Sequence, residues 1–425
     1  MTFATEAILS TIRPYRVCEI KRRLADGSGN YEASWIDISE YVADGGWPTV
    51  GQEITDSHAY GDISIPTITI NFDNTQRKFN QEFSADSLWN GYLTRYSTKF
   101  KISYGVYQNS TGYDGSDDRG TKVEGNTWYG ILYGEPSASD EQTISFSITH
   151  ILKVFQLYPA TVVTDTSSGL TSAIIQRIVD AVSSSVSIFD RFFDSAESIT
   201  AGTLTAATPS FANETCWGKI IDYSVAENYF PRVNSSGAFV WGSRAVGSNV
   251  FTFNGGNYTD ATYSQTIVSI DADEDGVNNV FNASSITYDS SGSVATSIQT
   301  WTPGDASSSD KYGQKLFTYE ILDFNAANAQ TFATSVVTNY STARRRVKLK
   351  TTFAAAFINL FDQVTINYEG QISPANALVW DADSWDNATW GNSLGAIRVI
   401  GFTGKVLQNH VDLNEFVCTL LVEAV

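Results

Sequence analysis

Residues 60–83 read YGDISIPTITINFDNTQRKFNQEF. The first half alternates: Ile63, Ile65, Thr67 and Thr69 fall on one side of an extended chain, and Ser64, Ile68, Ile70 and Phe72 on the other. Period-two spacing of β-branched residues predicts a strand. Pro66 has no N–H, so this strand has one free edge there. Asp73, Asn74 and Thr75 break the alternation with side chains that satisfy their own backbone in turns. Phe79 and Phe83 follow as apolar anchors. The stretch reads as a β-strand and then an ordered excursion, with no chemistry of its own.

The same grammar extends in both directions. Residues 1–14 read as an N-terminal arm closed by Pro14, and strands are expected at 15–20, 35–38, 100–107, 128–133 and 142–149. The Gly-, Asp- and Ser-rich segment 109–126 reads as a long hairpin loop. Repeated strands with turns between them predict a sandwich or barrel at 15–160. The period changes after Asp165: Leu170, Ile174, Ile178 and Val182 share one face of a helix, and a second helix is expected at 215–226. Strands follow at 230–244 and 250–253. A third helix has Asn325 as its N-cap, a stripe of Ala329, Phe332, Ala333, Val336, Val337 and Tyr340, and Arg344, Arg345 and Arg346 at its end. Further strands at 347–351, 363–368, 397–403 and 417–422 complete a second β region. The expected class is therefore mainly β with an α+β middle part. Its divisions are an arm (1–14), a first β domain (15–160), a mixed α/β middle (161–346) and a second β region (347–425) that draws on parts of the middle.

Composition bounds the function. The 425 residues carry 27 Lys and Arg against 46 Asp and Glu, a net charge of −19. A surface this acidic lacks the cations that displace condensed counterions from nucleic acid. An acidic wall can still surround DNA and let it slide. The simpler reading is that acidity only keeps the chain soluble. Cys18, Cys216 and Cys418 are odd in number and far apart, which suggests buried thiols made in a reducing cytoplasm and neither a zinc site nor a disulfide framework. The N-terminus has no signal-peptide pattern, and no apolar run approaches the ~20 residues of a membrane helix.

The opening stretch has a further property. A strand ending in Phe72-Asp73-Asn74-Thr75, then Arg77-Lys78-Phe79-Asn80, then Ser87-Leu88-Trp89-Asn90-Gly91, resembles the first barrel of the tail-tip and baseplate hub proteins of tailed bacteriophages. Trp128-Tyr129-Gly130-Ile131-Leu132 and Tyr312-Gly313-Gln314-Lys315, the latter followed by a long helix, extend the resemblance over most of the chain. It implies two tube-like β domains side by side and three copies forming a pseudo-sixfold ring. That ring would join the tail tube or distal-tail protein to tip or fibre proteins, and DNA would pass without specific binding. The location implied is the virion tail tip or baseplate.

Two motifs carry candidate chemistry. Asp271, Asp273 and Asp275 alternate before Gly276, with Asn279 beyond, as at the start of a calcium loop. The twelfth position is Asn282 where such a loop needs a bidentate Glu, and the flanks read as strands, so an acidic solvated turn competes. Trp380, Trp385 and Trp390 recur every five residues beside carboxylates. Exposed, they would stack on sugar rings or dock a partner; folded back, they would pack on their own domain. The Arg344–Arg346 run suits capping and ion pairing at a helix C-terminus better than phosphate binding. His58, His150 and His410 have no nucleophile motif near them, and no GxSxG, HExxH, P-loop or GxGxxG occurs. No catalytic residue and no cofactor is expected, calcium aside. A carbohydrate-binding adhesin module, a distal-tail ring protein and a polysaccharide depolymerase are the alternatives.

Overall fold

The computed structural model describes residues 13–22, 31–54, 63–75, 78–79, 93, 95–107, 122–134, 137–138, 142–185, 193, 197–244, 249–256, 265–274, 280–299, 311–371 and 397–425. The first β unit comprises β1 (Pro14–Lys21), β2 (Ile36–Asp37), β4 (Thr67–Asp73), β5 (Lys99–Tyr107), β6 (Lys122–Leu132), β7 (Ser137–Ala138) and β8 (Thr143–His150); β3 (Thr49–Glu53) lies between them in the chain but pairs elsewhere. The sheet runs β2-β1-β5-β6-β8-β4, with β7 on β8. It is a half-barrel, antiparallel throughout.

The opening stretch behaves as its alternation demands, with one correction. Ile68, Ile70 and Phe72 are buried while Thr67, Thr69 and Asp73 are exposed. The strand begins only at Thr67, however, and residues 64–66 form no strand. Ile63 is buried against Phe230, Phe361 and Leu407. Beyond the strand, Asp73 accepts the Thr75 N–H at 2.8 Å and Asn74 accepts the Phe79 N–H at 3.1 Å. That turn delivers Phe79 onto Phe72 and Phe146, with ring centroids 5.1 and 5.5 Å away. Buried aromatic pairs of this kind add to the free energy of area burial.

The middle region holds α1 (Lys153–Leu157), β9 (Gly169–Leu170), α2 (Thr171–Ser185), β10 (Ser198–Ile199), β11 (Thr205–Ala206), α3 (Cys216–Glu227), β12 (Tyr229–Val233) and β13 (Phe239–Ser243). After β14 (Asn249–Gly256) and β15 (Ile267–Glu274) come the three-stranded sheet of β16 (Ala283–Thr287), β17 (Val294–Ile298) and β18 (Leu316–Glu320), and then α4 (Ala326–Tyr340). Thr215 caps α3 through the Gly218 N–H at 3.1 Å, and Asn325 caps α4 through the Asn328 N–H at 2.9 Å. Every residue of the expected α4 stripe is buried. That helix ends at Tyr340, four residues before the arginines, because Arg346 already belongs to the next strand.

The last strands are β19 (Arg346–Thr352), β20 (Gln363–Gln371), β21 (Ile397–Asp412) and β22 (Val417–Ala424). They close with β14 and β15 into a six-stranded barrel, β20-β14-β15-β19-β22-β21, sealed by the β20–β21 pairing. Two of its strands thus come from 249–274, far upstream. β3 adds to the outside of this closure, pairing Gly51 with His410 on the long β21. One apolar core runs through both β units: Cys18, Phe100 and Phe146 belong to the same buried cluster as Phe353, Val364 and Cys418. A second core fills the middle region and reaches the outer face of β6 at Tyr129 and Ile131.

Candidate functional site

The two β units are locked side by side by specific polar contacts. The Arg16 guanidinium donates to the Leu413 carbonyl and lies 4.7 Å from the Trp47 ring and 5.1 Å from that of Phe416. The Tyr104 and Phe353 rings meet at 6.3 Å. Within the closed barrel, Asn409 donates to the carbonyls of Ala355 (3.2 Å) and Ile358 (2.6 Å), holding the β19–β20 connection against β21. Asn414 donates to the Trp47 carbonyl at 2.6 Å.

One end of the closed barrel carries a buried ionic cluster. Glu423 on β22 accepts two hydrogen bonds from Arg346 on β19, at 2.7 and 2.8 Å, and pairs with Lys405 on β21 at 3.0 Å. Arg344 stands 3.8 Å away. Burial pushes the Glu423 carboxyl up, but Lys405 and Arg346 outweigh it and hold the group below the usual range. Arg344 also donates to the Asn339 carbonyl at 2.9 Å, the C-terminal capping expected of this run. A second ionic centre sits in the middle region. Asp323 accepts from Lys219 (3.0 Å), from the Tyr223 hydroxyl (2.6 Å) and from the Ser210 N–H (3.0 Å). Nearby, burial raises the Asp222 carboxyl to about 6 even though the Tyr319 hydroxyl, which donates to it at 2.9 Å, and Lys219 oppose the shift. Both oxygens of Asp323 are engaged and the residue is fully buried, so the arrangement ties α3 to the β18–α4 connection.

The concave feature of interest lies where the three parts of the molecule meet. A cavity of about 380 Å³ is lined by Asn126 of β6, Arg232 of β12, Asn234 and Ser235 of the following turn, and Asn359 and Asp362 before β20. Gly125 lines it because it is the extra residue of a β-bulge: Asn126 pairs with Tyr104 and Glu124 with Gly105, leaving Gly125 without a partner. The Asn126 side-chain NH₂ donates to the Asn359 side-chain Oδ1 at 3.1 Å across the seam of the β units, and the Tyr129 hydroxyl donates to the Ser235 backbone carbonyl at 2.9 Å. Burial pushes Asp362 up and Arg232 down, each partly offset by the other's charge. A smaller recess of about 60 Å³ continues behind, lined by Trp128, His150 and Asn409 among others. The Trp128 Nε1–H and the Asn409 Oδ1 are buried there without a protein partner. His150 accepts the Leu152 N–H at Nδ1 (3.3 Å), and its Nε2 lies 3.4 Å from the Gln52 side-chain amide nitrogen. Burial lowers its pKa to about 3.

None of these cleft residues was singled out in the sequence as a site. They come from β6, β12 and 359–362, and their only shared signal is a scatter of Asn, which turns also produce. Of the acidic motif, Asp271 is exposed and accepts from Ser269 at 2.9 Å. The backbone at 271–274 is the end of β15, with Asp273 opposite Val347 on β19. Asp275 and Asn279 lie outside the described residues, as do Trp380, Trp385 and Trp390.

The architecture can now be compared with known proteins. The structure superposes on the tail protein from Neisseria meningitidis MC58 with a TM-score of 0.52, covering 96% of each chain at 9% identity. The chain has a tail-protein fold. Prophage tail protein gp18 from Listeria monocytogenes EGD-e matches with a TM-score of 0.48 at 10% identity, over 96% of this chain and 94% of that one. The 43 kDa tail protein of prophage MuSo2 from Shewanella oneidensis matches with a TM-score of 0.43 at 9% identity, over 96% of each. No family model and no curated protein matches the sequence.

Proposed function

We propose that this tail-fold protein is a structural, non-catalytic component of a phage virion: the central hub of a tail tip or baseplate, assembled as a homotrimeric ring. The observation that carries the reading is the pairing of a closed six-stranded barrel with an open half-barrel over one continuous core. Three copies of such a chain supply six β units around an axis. Among the described residues the half-barrel ends at β2 and β4; residues 42–46 cover the outer edge of β4, with Val42 opposite Phe72 and the Asn71 N–H on the Gly46 carbonyl at 3.1 Å, whereas the outer edge of β2 pairs with no further strand. Free edges are templates for a neighbouring chain, and a heterologous contact that closes makes a ring. The charge of −19 suits a lumen through which DNA travels without adhering. The middle region stands beside the β units and offers surface to tip or fibre proteins. Its outermost sheet, β17-β16-β18, exposes Val294, Ile298 and Leu316.

The test is the mass of the assembled protein. Native mass spectrometry or light scattering of purified protein, alone and with the tail-tube protein of the same phage, is expected to give a trimer. A stable monomer under both conditions contradicts the proposal.

A further inference from the structure

The proposed ring makes no use of the cleft between the three parts of the molecule, and that cleft has the composition of a ligand site. Its volume, about 380 Å³, falls in the roughly 300–1,000 Å³ range of small-molecule clefts. Its polar groups come from three distant parts of the chain and converge on one space. Several of them are unspent. The Arg232 guanidinium lies over the Phe230 ring at 4.7 Å and is attracted by Asp362, yet it makes no hydrogen bond among the described residues. The Asn234 Oδ1 accepts from Ser236 and Ala238, and its NH₂ makes no hydrogen bond among the described residues. Asp362 receives the Asn359 N–H on Oδ2 at 2.8 Å and is also hydrogen-bonded by the Asn359 side chain, and the carboxylate's remaining lone pairs can accept more.

The balance of charge selects the ligand. Arg232 and Asp362 cancel, and the remaining polar side chains are amides and the two hydroxyls of Ser235 and Ser243. A phosphate or carboxylate would meet the Asp362 carboxylate, and a cation would meet Arg232. An apolar ligand would strip water from both ions without replacing its hydrogen bonds. A peptide adding as a strand would use the free edge of β12, but Pro231 interrupts the donors of that strand. A neutral molecule with several hydroxyls fits, because each O–H both donates and accepts.

We propose that this cleft binds a neutral saccharide of one or two rings. Arg232 and the Asn234 amide donate to its ring substituents, Asp362 accepts from them, and the half-buried Phe357 ring in the lining meets the C–H face of the sugar. Behind it, the buried Trp128 Nε1–H and Asn409 Oδ1 give the site its second, independent mark. Their recess of about 60 Å³ is too small for a ring and large enough for ordered water, which would bridge these groups to the sugar hydroxyls.

Saturation-transfer NMR of the full-length protein with glucose, galactose, N-acetylglucosamine, rhamnose, maltose and cellobiose tests this, with calorimetry on any sugar that responds. At least one sugar is expected to bind. Arg232→Ala and Asp362→Asn should each weaken it by about tenfold or more, the effect of losing a hydrogen bond to a charged group. Ser235→Trp, placed on an exposed turn at the rim, should abolish binding while leaving the melting temperature unchanged. The proposal is overturned if no sugar binds, if inorganic phosphate displaces the sugar, or if binding survives Arg232→Ala and Ser235→Trp. Binding that survives both and disappears with Trp385→Ala overturns it in favour of the tryptophan segment.

Discussion

At the scale of single residues, two buried ionisable groups dominate the expected behaviour. Glu423 is 2% exposed and is the shared partner of Arg346 and Lys405. Removing it leaves two buried cations facing each other, so Glu423→Ala should cost about 3–5 kcal/mol of stability in chemical denaturation. Its depressed folded pKa means that its contribution is full above the unfolded value and is lost as pH falls through the folded one. His150 acts earlier in an acid titration. Its folded pKa of about 3 lies below the unfolded value, so from about pH 6.5 downward only the unfolded chain gains the proton. Stability should fall by roughly 1.4 kcal/mol per pH unit from this one group, about 2 kcal/mol by pH 5. A variant such as His150→Gln should flatten that slope in denaturant melts between pH 6.5 and 5, and an unchanged slope would assign the acid sensitivity elsewhere. Neither role was visible in the sequence. A histidine at a strand end has no signature of burial, and the partners of Glu423, Arg346 and Lys405, lie 77 and 18 residues upstream of it on other strands.

At the scale of elements, local rules did well where one face alone is buried. Ile68, Ile70 and Phe72 announced a strand, and the α4 stripe with its Asn325 cap announced a helix, because amphipathic period and capping are written in adjacent residues. Asn325→Ala should lower stability by about 1 kcal/mol through loss of that cap. β3 was not legible. Its five residues, Thr49–Glu53, lack clear alternation and are held by pairing with a strand some 360 residues later. Gly51 shows why the sequence nonetheless encodes it: a Cβ there would sit 2.1 Å from the Asn409 carbonyl oxygen. Gly51→Val should therefore peel β3 from β21, seen as faster amide exchange at 49–53 and 408–412. Protection equal to that of the unaltered protein would show that β3 tolerates the bulk. The cleft was illegible for the same reason as β3. Its Asn and Ser residues are ordinary turn formers in sequence, and only the docking of three separate parts aims them at one another.

At the scale of the whole molecule, the β-rich composition and the change of period near residue 165 foretold a β–mixed–β order, and the observed mainly β fold agrees. The composition of the closed barrel was harder to foresee, because β14 and β15 precede the intervening sheet and α4, then return to pair with β19 and β20. Strand order in a sheet is set by long-range pairing, which leaves no local trace. The half-barrel beside a closed barrel, with its β2 edge open, leads to the central claim, a ring of three chains. Cryo-electron microscopy of an intact particle that carries this protein measures copy number and symmetry together. The account predicts three copies per tail, arranged with threefold symmetry at the distal end and with six β units lining an acidic channel. Six copies in a sixfold ring, a single copy off the axis, or a lumen lined with positive charge would contradict it.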